Sequence, residues 1–417
     1  MLVRIGGWAS GLAGRRALLF AFAAGAVSAL GFAPWEFFPA LLLGYAALVL
    51  LLDGAADKPR HLGRAAGLGW AFFFGQFLVG LHWIVYPFLI YPDANLWELP
   101  FAVLLPAGLA LFGALATSLA ILAWSKGPAR IFAFAAAIAL SEWLRGHVLT
   151  GFPWNLSGYG WGASLALLQS ASLMGIYGLS FLTILLGGAL AELAAARWRL
   201  PVTLLLLFTT LWGFGVYRLA STPTGNVAGV RLRLVQPDIP QAEKYVRRLM
   251  ARNWQRLIGL SVQPGKTRDI PTHLIWPEAA TGFPVARSPE ALAQIGFLTA
   301  RGQSLITGSD RILRDEKGIT AYNSLYLFGP DKILTYDKFH LVPFGEYVPF
   351  AGLLSRVGIT QLTVGSGFSA GDHPHVLNAA PAPPMTPLIC YEVIFPHAVI
   401  DPAEPRPGCS PCSARGA

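Results

Sequence analysis

The chain has 417 residues, of which 54% are hydrophobic and only 13% charged, and its mean hydropathy is +0.52. A soluble globular fold of this length does not hide that much apolar surface, so composition points to a membrane protein. The formal charge of +9 comes from Lys and Arg that are dispersed or beside apolar runs, not gathered in one basic stripe, which excludes a nucleic-acid partner.

Residues 1–222 hold nearly all the long apolar runs and read as a transmembrane helical domain. Runs near 15–33, 36–53, 66–91, 100–124, 130–149, 165–195 and 200–219 approach or exceed the roughly twenty residues that cross a bilayer, predicting about seven spans. Arg15 and Arg16 before the first run resemble a signal peptide, but further spans follow at once, so this segment is a retained anchor. Positive charge alternates between the loops: Arg4, Arg15 and Arg16 precede the first span, Lys58, Arg60 and Arg64 follow the second, Lys126 and Arg130 the fourth, Arg197 and Arg199 the sixth. Lys and Arg near span ends resist translocation, so the N-terminus is predicted cytoplasmic and everything after about residue 222 exoplasmic. In a bacterium with two membranes that side is the periplasm.

Gln76, His82, Glu142, Arg145, Gln169 and Glu192 lie within or beside the spans. Such groups can line a transport path, but they are sparse here and no repeated half-structure is visible. Glu142 and Arg145 are spaced to pair on one helix face, and Glu192 sits near the basic end of the sixth span. The loop from Gly151 to Gly160, GFPWNLSGYG, has the aromatic and Gly-rich character of a membrane-interface segment.

From Gly225 the pattern changes to short strand-like runs: Val230–Gln236, His273–Trp276, Ser304–Thr307, Ser324–Phe328, Ile333–Tyr336 and Pro387–Tyr391, with helical spacing over Gln241–Leu260. Residues 223–400 are therefore read as a layered α/β domain with its site at strand ends. Three of these runs lead into a reactive group: IWPEAA carries Glu278, TYDKFHLVPFGEYVPF carries Lys338 and Glu346, and LICYEVIFP carries Cys390. A cysteine nucleophile acts as its thiolate, so it needs a base and benefits from a nearby cation. Glu278 is the candidate base, and Lys338 the candidate stabiliser of a thiolate and of the oxyanion formed when a carbonyl is attacked. Taken singly, each is ordinarily a packed cysteine, a cap or a surface charge.

These three segments resemble those of the nitrilase superfamily, which places a Glu-Lys-Cys triad in an αββα sandwich. The seven-span half, together with QPDIPQ at Gln236–Gln241, FGEYVPF at Phe344–Phe350, CYE at Cys390–Glu392, and the strings GFAPW at Gly31–Trp35 and GFPWNLSGYG, is similar to the apolipoprotein N-acyltransferase family. The resemblance runs from near the N-terminus to about residue 400. It implies acyl transfer in the bacterial inner membrane: a phospholipid donor loads Cys390 as a thioester, and the free α-amine of a diacylated apolipoprotein receives the chain. It also assigns functional positions to Glu346, Tyr391 and Glu392, in direct or supporting roles. Tyr245 stands where that family commonly has a tryptophan, so an aromatic contact with acyl chains is expected there with altered shape. A membrane-tethered amidase is the alternative enzyme, and an inactive truncated membrane protein the alternative from another class.

Beyond residue 400 the text becomes Pro-, Gly-, Ser- and Cys-rich, where the family continues through further strands and a final span. Residues 401–417 read as an aberrant or disordered tail, a frameshift or truncation leaving the sandwich C-terminally incomplete. The cysteines Cys390, Cys409 and Cys412 are too few and too clustered for a disulfide framework. With no metal cluster, phosphate loop or dinucleotide fingerprint, no metal and no cofactor are expected.

Overall fold

The structure is a computed structural model that describes residues 2–90, 96, 99–223, 225–265, 270–316, 318–349 and 367–404. The chain divides into two compact units, Met1–Pro223 and Thr224–Ala417. Of the segments read above, Tyr91, Phe350, and the tail from residue 405 with Cys409 and Cys412 lie outside the described residues.

The first unit is helical: α1 (Leu2–Gly11), α2 (Gly14–Ser28), α3 (Phe38–Ala56), α4 (His61–Gly80), the short α5 (Val85–Ile90), α6 (Phe101–Leu122), α7 (Ala129–His147), α8 (Ala171–Ala189) and α9 (Arg199–Ser221). Each apolar run read as a span contains one of these helices, but among the described residues five are long and apolar enough to cross a membrane: Phe38–Ala56, His61–Gly80, Phe101–Leu122, Ala171–Ala195 and Arg199–Ser221. The other two differ for physical reasons. Helix α2 has 15 residues before the chain tightens into a 3-10 turn, short of the roughly twenty that span the hydrocarbon. Helix α7 carries Arg130, Glu142 and Arg145, all buried, and three ionisable groups lower its hydropathy.

Without a hydrophobic force between helices in lipid, close backbone approach holds such a bundle together. A Cβ added to Gly25 would lie 1.8 Å from the carbonyl oxygen of Phe72, so α2 and α4 meet where only glycine fits. The buried charges fall into two groups, and of their carboxylate oxygens Glu142 Oε2 has no hydrogen-bond partner among the described residues. At one, Arg130 bonds Asp53 of α3 (2.7 and 3.0 Å) and Glu192, which also takes Arg197 at 3.4 Å. At the other, Glu142 accepts from the backbone N–H and hydroxyl of Ser157, while Arg145 donates to the carbonyls of Phe152 and Trp154. Glu142 and Arg145 therefore each clamp the GFPWNLSGYG loop onto α7, instead of bonding one another.

The second unit contains one mixed sheet in the order β1 (Leu232–Leu234), β2 (His273–Ile275), β3 (Ser304–Asp315), β4 (Gly318–Phe328), β5 (Ile333–Asp337). Strands β1, β2 and β3 are parallel, and β4 and β5 run antiparallel to their neighbours. Helices α10 (Gln241–Lys244), α11 (Arg247–Val262) and α12 (Pro289–Thr299) accompany it, so the single helix read over Gln241–Leu260 is broken near Tyr245. Because side chains alternate across a strand, the sheet buries two apolar sets. One unites Leu305, Tyr326 and Phe328 with Trp254 and Trp276. The other unites Leu327, Tyr336, Leu377, Ala379 and Ile389, and it lays the chain leading to Cys390 onto that face. The described residues thus form a single five-stranded layer, and Pro387–Tyr391, read as a strand, is instead an irregular approach to a 3-10 turn over Cys390–Ile394.

Truncating one member of a buried charge cluster strands its partners. Arg130→Ala, which leaves Asp53 without its cation and the fully buried Glu192 with only the longer contact to Arg197, is expected to destabilise the helical unit by about 3–5 kcal/mol, read as earlier thermal unfolding in detergent. Adding Asp53→Asn and Glu192→Gln to that variant should restore part of the loss.

Candidate active site

The cross-strand register sets the site. Asp310 pairs with Asn323 between β3 and β4, and Ser324 pairs with Asp337 between β4 and β5. Lys338 follows Asp337 and donates its N–H to the carbonyl of Asn323 at 2.8 Å. Directly opposed residues share a face, so Asp310, Asn323 and Lys338 form a polar row at one end of the face that buries Leu327 and Tyr336.

Lys338 is only 1% exposed, and a buried ammonium requires a counter-charge. Glu346 supplies it, with the Lys338 Nζ 2.9 Å from its carboxylate. That carboxylate also accepts from the N–H of Val342 at 2.8 Å and from Asn323 Nδ2 at 2.9 Å. The same Asn323 amide donates to Glu278 Oε1 at 2.9 Å. One side-chain amide therefore joins both carboxylates and fixes Glu278 relative to Lys338. Glu278 reaches this position because its backbone crosses directly over Gly308, where an added Cβ would stand 2.9 Å from the Glu278 Cα and 2.7 Å from the Ala279 nitrogen.

Cys390 completes the group. Its φ of 51° is a left-handed conformation uncommon for a residue with a Cβ, and Glu392 holds the turn around it. The Glu392 carboxylate accepts from the N–H of Ile389 at 2.7 Å on one oxygen, and on the other from Tyr336 Oη (2.9 Å) and the N–H groups of Phe339 (2.7 Å) and His340 (3.1 Å). The buried Glu392 thus ties the cysteine turn to the residues just after Lys338. Tyr391 is packed edge-on against His340 and Phe395.

The thiol of Cys390 is exposed and lies within the electrostatic reach of Glu278, Lys338 and Glu346. Partial burial first, and then the Glu278 carboxylate, push this thiol above its ordinary value, while the Lys338 ammonium opposes them. The resting arrangement is a protonated thiol within reach of a carboxylate and a cation. Such a group loses its proton to Glu278 as the sulfur attacks and has positive charge ready for the developing oxyanion. Among the described residues no group of three or more His, Cys, Asp or Glu side chains is arranged to hold a metal.

Residues 24–189 match the model of the apolipoprotein N-acyltransferase N-terminal domain. An apolipoprotein N-acyltransferase of Rhodopseudomonas palustris is 43% identical over 405 residues, covering 93% of this chain and 75% of that protein. This chain belongs to the apolipoprotein N-acyltransferase family. Family members of the same name from Bradyrhizobium diazoefficiens (42% identical, 95% of this chain and 77% of that one) and Brucella melitensis (39%, 95% and 77%) match equally broadly.

Glu278, Lys338, Glu346, Cys390 and Glu392 are brought into one connected cluster, and Tyr391 borders it. The hydrogen bonds described above do not involve Tyr245: it lies 48% exposed at the end of α10, and its neighbour Lys244 reaches the Glu278 segment, donating to the Glu278 carbonyl at 3.3 Å. Sequence reasoning missed Asn323, Gly308 and Lys244. The signal for Asn323 was available, an amide inside the AYNSLYLF run, but the strand was read as starting one residue later.

Alkylation of Cys390 by iodoacetamide is expected to reach half its maximal rate above the ordinary thiol midpoint. Glu278→Gln removes a carboxylate that raises the thiol and should lower that midpoint, whereas Lys338→Met should raise it; a wild-type midpoint below neutrality contradicts this geometry. Glu392→Gln replaces one acceptor oxygen with an NH2 group that faces backbone donors, at a cost of about 1–3 kcal/mol. It should loosen the cysteine turn and lower turnover roughly tenfold or more, with Cys390 still alkylated.

Proposed function

We propose that this chain moves a fatty acyl group from a phospholipid, through a thioester on Cys390, to the N-terminal amine of a diacylglyceryl-modified cysteine in a bacterial apolipoprotein. The observation that carries the reading is the exposed thiol of Cys390 gathered with Glu278 and the buried Lys338–Glu346 pair, in a chain 43% identical to a protein named for this transfer.

In the first half-reaction the Cys390 sulfur attacks the ester carbonyl while its proton passes to Glu278, so the net charge of the group is unchanged as the C–S bond forms. The oxyanion lies in the field of Lys338, whose position is pinned by Glu346 and by its own backbone bond to Asn323. Collapse breaks the ester C–O bond, and Glu278 returns the proton to the departing lysophospholipid oxygen. In the second half-reaction the neutral amine attacks the thioester, Glu278 takes an amine proton, and the C–S bond breaks to regenerate the thiol. Glu346, Asn323 and Glu392 position these groups without joining the reacting atoms.

The same reading extends to architecture. Residues 1–222 form the membrane domain, 223–400 the catalytic domain, and 401–417 a separate tail. The five-stranded sheet is one layer of a nitrilase-type αββα sandwich. Helices α2 and α7 also cross the inner membrane, making seven spans: α7 carries its charges already paired or hydrogen-bonded, which lowers their cost in hydrocarbon. Lys and Arg at alternate loops support an N-terminus in the cytoplasm and a catalytic domain in the periplasm.

Membranes carrying the full chain, given acyl-labelled phospholipid and a diacylated lipopeptide, should form a base-labile labelled enzyme and then an amide-linked triacylated product. Cys390→Ala should abolish both. Release of free fatty acid without amide product would replace transfer with hydrolysis.

A further inference from the structure

Asp310 stands in the polar row beside the catalytic residues and has no role in the chemistry above. It is directly opposite Asn323, so the two side chains leave the same sheet face with Cβ atoms about 5 Å apart. It lies two residues along β3 from Gly308, over which Glu278 passes, a displacement of about 7 Å on the same face. Asp310 is half-buried, yet among the described residues no hydrogen bond or ion pair reaches its carboxylate.

Lys244 is the neighbouring cation. Its Nζ is committed to the Glu278 carbonyl at 3.3 Å, and it attracts the Asp310 carboxylate without pairing with it. Burial raises Asp310 and lowers Lys244, and each charge counteracts the shift of the other. An ionised carboxylate is an acceptor only, and the solvent-accessible oxygens of Asp310 are therefore suited to a donor cation. Lys244, already bonded and flanked by Glu278 and Asp310, is poorly suited to bind an anion.

We propose that Asp310 is the docking group for the acceptor's N-terminal ammonium, holding it beside Glu278 before the amine is deprotonated and attacks the thioester. Resting on the acyl-transfer reading, this assigns recognition of the second substrate to a residue outside the Cys-Glu-Lys triad. Lys244 serves as a positioning residue that keeps the Asp310 carboxylate ionised and the Glu278 backbone in place.

Binding tests this separately from turnover. The Cys390→Ala protein in nanodiscs is titrated with two diacylated lipopeptides, one with a permanently charged N-terminal trimethylammonium and one N-acetylated and neutral. The cationic form should bind roughly tenfold or more tightly, the scale of a charge-assisted contact. Asp310→Asn should erase the preference, and Asp310→Glu should retain part of it, with thermal unfolding checking that each variant is folded. In the Cys390 enzyme, Asp310→Asn should raise the KM for lipopeptide by a similar factor while thioester formation from phospholipid stays within about twofold. Equal binding of the two lipopeptides, or a preference surviving in Asp310→Asn, overturns the assignment. So does loss of thioester formation in Asp310→Asn, which would make the residue a support of Glu278. Failure of the wild-type enzyme to form any thioester would instead defeat the acyl-transfer reading, while the binding comparison still decides the role of Asp310.

Discussion

A lysine ammonium removed from water is tolerable only against a fixed counter-charge, and the second unit is organised around that requirement. Lys338, at 1% exposure, meets Glu346 at 2.9 Å. Glu346 is in turn held by the N–H of Val342 and by Asn323, and Asn323 passes the constraint to Glu278. Removing one member of the pair would leave the other as a buried, unpaired ion, so the relative placement of Glu278 and Lys338 is a consequence of satisfying one desolvated charge.

The sheet converts this local requirement into a site. Mixed pairing places β3, β4 and the end of β5 in one register, and the two-residue period puts Asp310, Asn323 and Lys338 on the face whose other end is the apolar cluster of Leu327, Tyr336 and Ile389. That cluster carries the chain to Cys390, and Glu392 bonds the cysteine turn to Phe339 and His340. Cys390, Lys338 and Glu278 come from segments far apart in sequence, yet backbone and side-chain hydrogen bonds join their segments to one patch of sheet. The helical unit follows the same physics in a different solvent: Arg130 with Asp53 and Glu192, and Glu142 with Ser157, are buried charges given partners inside the bundle.

Much was legible in the linear text because some signals are local. Apolar runs identified seven helical segments, since that signal depends only on composition near each segment. The strands β1 to β5 were found because β-branched and apolar residues cluster between turn residues. Cys390, Glu278 and Lys338 were recognisable because each follows an apolar run and sits in a distinctive string. The strand expected at Pro387–Tyr391 failed because its apolar character serves the cluster beneath it, while a left-handed Cys390 and the Glu392 clamp turn the chain away.

By itself, the sequence determined the division into an apolar helical half and a polar α/β half, together with the reactive residue types, because hydropathy and short motifs are properties of contiguous residues. Only the tertiary structure decided that Glu346 neutralises Lys338, that Asn323 couples both carboxylates, that Lys244 reaches the Glu278 segment, and that Asp310 stands open beside them. Those relations are set by strand register and by backbone approach at Gly308, which bring together residues separated by tens of positions and leave no mark on the local pattern around any one of them.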